Sequence, residues 1–190
     1  MMKISEKKPL GNSGLMVPPL IYGTSYLGNL YRELPFADKL ALMEMWFECT
    51  EKPVVIDTAG KYGAGLALEV IGKGLKELGI PEKDIIISNK LGWYRVPLTG
   101  TEPTFEPGVW AGLEHDCIQT FGYDGIMRCF EQGNALMGEI HTCELVSVHD
   151  PDEYLAASKD PPERNRRLFD ILESYRALFD LKGEGRVRAV

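Results

Sequence analysis

The stretch from Val54 to Lys90, VVIDTAGKYGAGLALEVIGKGLKELGIPEKDIIISNK, decides the fold. Two short apolar runs, Val54-Val55-Ile56-Asp57 and Ile85-Ile86-Ile87-Ser88-Asn89-Lys90, flank a segment in which Val70, Ile71, Leu75 and Leu78 recur at helical spacing. β-Branched runs of this length read as strands. The segment between them reads as a helix from about Leu66 to Leu78, ended by Gly79 with Pro81 beyond. Strand, helix and strand in that order require a crossover, so the strands are parallel and helices cover the sheet.

The same alternation recurs on both sides. Leu20-Ile21-Tyr22-Gly23 reads as a preceding strand, and its helix, from about Ala37 to Thr50, aligns Leu40, Met43, Trp46 and Phe47. Downstream, a helix from about Tyr123 to Met137 leads to a fourth strand, Glu144-Leu145-Val146-Ser147-Val148-His149. A further helix opens with Asp160 as cap, Pro161 at its first position and Glu163 three residues past the cap. Its expected apolar face is Leu168, Ile171, Leu172, Tyr175, Leu178 and Phe179, and a fifth strand starts at Val187-Arg188-Ala189-Val190. Ahead of the first strand, Leu10-Gly11-Asn12-Ser13-Gly14-Leu15 suits a short hairpin acting as a plug or lid. The stretch Leu91 to Gly108, rich in Pro, Gly and Thr, reads as irregular. It exceeds the usual βα loop of about 2–6 residues, which marks it as functional. The expectation is one α/β domain over residues 1–190.

Composition narrows the class. Apolar residues make up 44% and charged residues 26%, enough apolar mass for a substantial core. A net charge of -7 argues against nucleic acid as partner, since that binding rests on clustered Lys and Arg. The one dense basic group, Arg164, Arg166 and Arg167, reads as a solvated helix face. The opening MMKISEKKPL lacks a signal-peptide apolar region and no run is long enough to span a membrane, so a cytoplasmic protein is expected. Cys49, Cys117, Cys129 and Cys143 show neither metal-type nor disulfide-framework spacing and read as reduced, mostly buried thiols. His115 and His141 have no partner at ligand spacing, so no metal is expected. Gly72-Lys73-Gly74 lies inside a helix and fails the dinucleotide fingerprint.

Three strands end in ionisable residues: Asp57, Lys90 and His149. All strand C-termini of a parallel array open on one face, so these side chains converge there, and Tyr62 follows Asp57 by five residues within reach of the same mouth. Tyrosine is a weak acid, and a nearby ammonium favours its phenolate. Lys90 supplies that charge, Asp57 orients Lys90, and His149 hydrogen-bonds a substrate oxygen. Such a relay delivers one proton to a carbonyl oxygen and leaves hydride transfer to a cofactor, since no side chain carries hydride.

The stretches Gly23-Thr24-Ser25, Asp57-Thr58-Ala59-Gly60-Lys61-Tyr62-Gly63, Asn89-Lys90 and Val148-His149-Asp150-Pro151 resemble, in order and spacing, the motifs of the aldo-keto reductases. The resemblance implies a TIM (β/α)₈ barrel truncated to about the first four βα units plus the hairpin, and NADP or NAD as cofactor. It implies Tyr62 as general acid/base, supported by Asp57, Lys90 and His149, with Gly23, Thr24 and Asp57 at the nicotinamide end. In the family, later strands and loops bind the rest of the cofactor, so the 190-residue chain alone is expected to bind cofactor poorly and to associate. Val148-His149-Asp150-Pro151-Asp152 and Gly92-Trp93-Tyr94-Arg95-Val96-Pro97 resemble the sugar 1-dehydrogenase branch, which implies oxidation of an aldose at C1 with Trp93, Tyr94 and His149 at the substrate. Phe105 and Trp110 are further aromatic candidates for stacking on a sugar ring, or else pack the long loop's own core. Two alternatives stand beside this reading: a general aldehyde or ketone reductase, and a barrel fragment kept as an interaction module.

Overall fold

The computed structural model describes residues 4–138 and 141–190. Strands β1 (Lys8–Pro9) and β2 (Met16–Val17) form the expected antiparallel hairpin. Strands β3 (Tyr22–Gly23), β4 (Val54–Ala59), β5 (Ile85–Leu91) and β8 (Leu145–Val148) then form one all-parallel sheet in that order. Between them run α1 (Phe36–Cys49), α2 (Leu66–Glu77) and α3 (Tyr123–Leu136), each within two residues of its sequence expectation.

Alternation along the strands divides their side chains between two faces. Val54, Ile56, Ile85, Ile87, Val146 and Val148 point to the helix layer and join Met43, Leu68, Ile71, Leu75, Ile126 and Phe130 in the main core. Val55 and Ile86 point the other way and meet Leu15, so the hairpin plugs the base of the inner face. Helix α2 reaches the neighbouring layer through its glycines: a Cβ on Gly72 would lie 2.2 Å from the Met137 carbonyl oxygen, and one on Gly74 would lie 2.5 Å from Met43 Sδ.

The segment after β5 departs from expectation. Residues 98–108 are irregular as expected, but β6 (Trp93–Pro97) at its start pairs antiparallel with β7 (His115–Gln119), making a two-stranded arm. The partner strand lies beyond a Pro- and Gly-rich loop, so no local pattern announces the pairing. Phe105, Trp110, Cys117 and Ala64 form the arm's own small core. A short helix, α4 (Pro151–Ala156), also went unforeseen, because six residues are too few to display a helical period.

Helix α5 (Pro161–Gly183) starts as the sequence predicts, with Asp160 Oδ1 accepting from the Glu163 amide at 2.7 Å. Arg167, expected to be solvated, instead donates to the Tyr154 carbonyl at 2.7 Å and pairs with Glu163 at 2.9 Å, tying α4 to α5. The apolar face needs a larger correction. Ile171 and Leu178 are buried, together with Ser174, Ala177 and Leu181 that face the sheet and α3. Leu168, Leu172, Tyr175 and Phe179 are exposed, Leu172 by 60% and Phe179 by 59%. The helix is apolar around more of its circumference than this sheet covers. Past α5, where a fifth strand is expected, Leu145 and Ala189 form a single parallel bridge.

Among the described residues the sheet is open, with no partner on the outer side of β3. An open edge together with a wide apolar stripe favours association. The purified 190-residue chain is therefore expected to run as an oligomer in light scattering, and Leu172→Glu combined with Phe179→Glu should shift it towards monomer. A monodisperse parent monomer would refute this.

Candidate active site

The inner face holds the site because of the same alternation. Asp57 shares the parity of Val55, Lys90 that of Ile86, and His149 follows Val148, so all three stand on the face away from the helices. In the parallel register Asp57 lies beside Gly23, and His149 is anchored by its amide donating to the Leu91 carbonyl at 2.8 Å. Lys90 Nζ forms an ion pair with Asp57 Oδ2 and also donates to the Thr58 carbonyl at 3.3 Å.

Tyr62 sits in the loop between β4 and α2. That loop turns through left-handed backbone at Gly63, Ala64 and Gly65. It lies flat on the 3₁₀ turn Ser25–Gly28, where a Cβ on Gly63 would come within 2.3 Å of the Gly28 carbonyl oxygen. Only glycine fits this approach. Tyr62 thereby hangs over the sheet end, with Lys90 Nζ 4.9 Å from its ring centroid and the His149 ring edge-on at 5.9 Å. The four residues singled out in the sequence therefore come together.

His149 is almost fully buried, and that burial pulls its pKa down to about 4. Asp150 opposes the shift and the ammonium groups of Lys90 and Lys61 add to it. The imidazole is thus neutral at pH 7, with its Nε2 3.3 Å from Asp150 Oδ2. Its Nδ1 is buried with no partner.

Other expected residues are placed differently. Gly23 lies open at the mouth, and a Cβ there would meet no atom within 4 Å. Thr24 is fully buried, with its hydroxyl and its amide both donating to the Asp57 carbonyl, so it braces the strand ends. Trp93 packs on Phe105 with ring centroids 5.9 Å apart, within the arm's core. Tyr94, one residue on, faces the other side of the arm, where the Arg128 guanidinium covers its ring at 4.4 Å. Neither lines the cavity of about 380 Å³ above Tyr62 and His149, which Ser25, Tyr31, Trp110 and Glu153 help to enclose. Elsewhere, His141 is a core residue with Nε2 3.0 Å from the Ile80 carbonyl oxygen. Burial raises the Cys129 thiol to about 11 and the Cys143 thiol to about 12, which keeps both protonated.

Lys61 carried no signal of its own in the sequence. Its side chain is buried beside Tyr62, and its ammonium reaches Glu106 at 3.0 Å, Asp150 at 3.2 Å and Glu153 at 3.5 Å. It also lies 5.0 Å from the centre of the Trp93 ring. Burial alone would lower its pKa, but Glu106 and Asp150 outweigh that and raise it. One cation thus ties the Tyr62 loop, the arm and the start of α4 together, and shares Asp150 with His149. The partners lie 45, 89 and 92 positions away, which hides the web from sequence. Lys61→Met should lower the unfolding free energy by about 1–2 kcal/mol, less than a fully buried pair because the carboxylates are partly solvated. Guanidinium titration checks this, and Lys61→Arg is expected to recover most of the loss.

Comparison with known proteins fits this arrangement. The chain is 29% identical to pyridoxal 4-dehydrogenase of Microbacterium luteolum over 98% of its own length and 55% of that protein. It is 25% identical to D-threo-aldose 1-dehydrogenase of Pseudomonas sp over 94% of its length and 50% of that protein. The chain therefore spans about half the length of the curated relatives it matches. Among solved structures, a putative aldo-keto reductase from Pseudomonas aeruginosa superposes with a TM-score of 0.63 at 24% identity, covering 96% of this chain and 57% of that one. An aldo-keto reductase from Klebsiella pneumoniae in complex with NADPH superposes at 0.54 and 19% identity, covering 91% and 44%. Both show a common barrel-type α/β fold. The family model described as aldo/keto reductase matches residues 19–190, and the chain belongs to that oxidoreductase family.

Proposed function

We propose that the protein carrying this chain is an NAD(P)-linked oxidoreductase acting on a hydroxyl or carbonyl carbon, with Tyr62 as proton donor and acceptor. The observation that carries the reading is the convergence of Asp57, Lys90, Tyr62 and His149, with the Asp57–Lys90 ion pair behind the Tyr62 ring and the neutral His149 edge-on to it. When bound, the nicotinamide supplies or receives the hydride. The open floor at Gly23, beside a half-exposed Asp57, fits such a flat ring. Thr24 supports the cofactor end from behind, through its two hydrogen bonds to the Asp57 carbonyl.

In the reductive direction the Tyr62 hydroxyl gives its proton to the oxygen of the carbonyl whose carbon takes the hydride. The phenolate left behind is stabilised by the Lys90 ammonium, which Asp57 holds in place. In the oxidative direction the phenolate takes the proton from the substrate hydroxyl. His149, neutral and with its Nδ1 buried, can reach the substrate oxygen only through Nε2, which would turn from Asp150 to it without carrying charge into the site.

For the substrate we favour an aldose oxidised at C1. The likeness to D-threo-aldose 1-dehydrogenase supports this, as does a mouth lined by hydroxyl and carboxylate groups beside the aromatic faces of Tyr31 and Trp110. Those two rings, rather than Trp93 and Tyr94, are the aromatic surfaces at the cavity. The greater identity to pyridoxal 4-dehydrogenase supports a second reading, a broader alcohol and aldehyde oxidoreductase.

The test uses the protein from its complete reading frame. L-Fucose and related aldoses with NAD or NADP should give reduced cofactor faster than pyridoxal or simple alcohols; the reverse order favours the second reading. In the same protein Tyr62→Phe should cut turnover by about 10²–10⁴ while cofactor affinity holds, since the hydroxyl serves the substrate. Near-normal turnover in that variant would remove Tyr62 from the chemistry.

A further inference from the structure

A second cavity, of about 400 Å³, lies outside the tetrad, between the start of α1, the first turns of α2 and the arm. None of Asp57, Tyr62, Lys90 or His149 lines it. Its walls hold two ammonium groups without a carboxylate in contact. Lys39 is only 4% exposed, and Nζ makes one hydrogen bond, to the neutral Asn29 Oδ1 at 2.6 Å. An ammonium has three donors, and a buried one lacking a counter-charge is costly. Burial accordingly lowers its pKa, only partly offset by the charge of Glu33. The second ammonium, Lys73, sits over the Phe36 ring at 3.8 Å. Arg95, the third cation on the wall, is already matched by Glu69 at 2.7 Å and by the Ala64 carbonyl at 2.6 Å.

The rest of the lining decides the kind of ligand. Leu34, Phe36, Leu66 and Val70 give an apolar wall beside the two ammonium groups. Glu33 and Glu114 also face the cavity, so a second negative charge on a ligand would meet repulsion. We infer that this cavity is a binding site for a small monocarboxylate with an apolar body, its carboxylate on Lys39 and Lys73 and its body against Leu34, Phe36, Leu66 and Val70. The carboxylate fills the unused donors of Lys39 with charge-assisted hydrogen bonds. The site is separate from the oxidoreductase chemistry and stands whether or not that reading holds.

Benzoate is the probe, with inorganic phosphate as the dianionic comparison, both titrated calorimetrically into the protein from its complete reading frame without cofactor. Benzoate should bind one to one with a Kd on the order of 1 mM, the range open to a ligand of this size. Phosphate should bind at least tenfold more weakly. Lys39→Met should weaken benzoate at least tenfold and Lys73→Met about threefold, with circular dichroism confirming that each variant is folded. Tyr62→Phe should bind benzoate as the parent does, which separates this cavity from the tetrad. The inference is overturned if benzoate shows no saturable binding, if phosphate binds as tightly, or if Tyr62→Phe abolishes binding. It is equally overturned by an unchanged Kd in folded Lys39→Met. Should Lys39→Met not fold, an unchanged Kd in Lys73→Met overturns it instead.

Discussion

The parallel pairing of β4 with β5 is the constraint on which the rest depends. Its register sets Asp57 beside Ser88 and Ala59 beside Lys90, which brings the Lys90 ammonium back onto the Asp57 carboxylate. Because side chains alternate, that one register sends Val54, Ile56, Ile85 and Ile87 to the helices and turns the polar residues inward. A slip of β5 by one residue would exchange its faces, turning Lys90 among the helices and away from Asp57 while taking Ile85 and Ile87 out of the core. The energy of the apolar core therefore also fixes the geometry of the charged site. The ion pair itself need add little stability, since its two side chains keep 36% and 20% of their exposure.

Tyr62 is held from two directions by forces of different kind. Below it, the Gly28–Gly63 approach is steric, and no side chain larger than hydrogen fits. Beside it, Lys61 draws in carboxylates from the arm and from α4. Asp150 serves both Lys61 and the His149 ring, in left-handed backbone at φ 47°. Such strain persists only where surrounding contacts over-determine it, and here an ammonium, an imidazole and the start of α4 do so. The charge balance also explains the neutral histidine, because deep burial and two neighbouring ammonium groups together outweigh the Asp150 and Asp57 carboxylates.

Sequence revealed what local pattern encodes. The βα units, the Asp160 cap and the plugging hairpin rest on neighbours within a few residues, and their place at the ends of parallel strands was enough to gather Asp57, Lys90 and His149. The arm was hidden because β6 and β7 pair across a long loop. Lys61 was hidden because its partners come from two other loops. For α5 the apolar spacing was read correctly, but spacing does not state which surface covers it, and only the stripe facing the sheet and α3 is buried. Trp93 and Tyr94 do not line the cavity above Tyr62. Adjacent residues on a strand face opposite sides, and here Trp93 packs on Phe105 while Tyr94 lies under Arg128.

The arm settles how the mouth is built. Its loop brings Trp110 to 6.0 Å from the Tyr62 ring and Glu106 onto Lys61, while the Trp110 indole N–H is taken by Glu106 Oε2 at 2.7 Å. That hydrogen bond fixes the indole, and the Tyr31 amide donating to the Val109 carbonyl at 2.7 Å fixes the turn opposite. An aromatic wall held at both ends presents a rigid face, and such a face loses little ordering entropy on contact with any ligand. Tyr31 remains 71% exposed, so the wall facing Trp110 is open to solvent. Trp110 and the polar groups around His149 are therefore the parts of the mouth that the arm and Lys61 hold still.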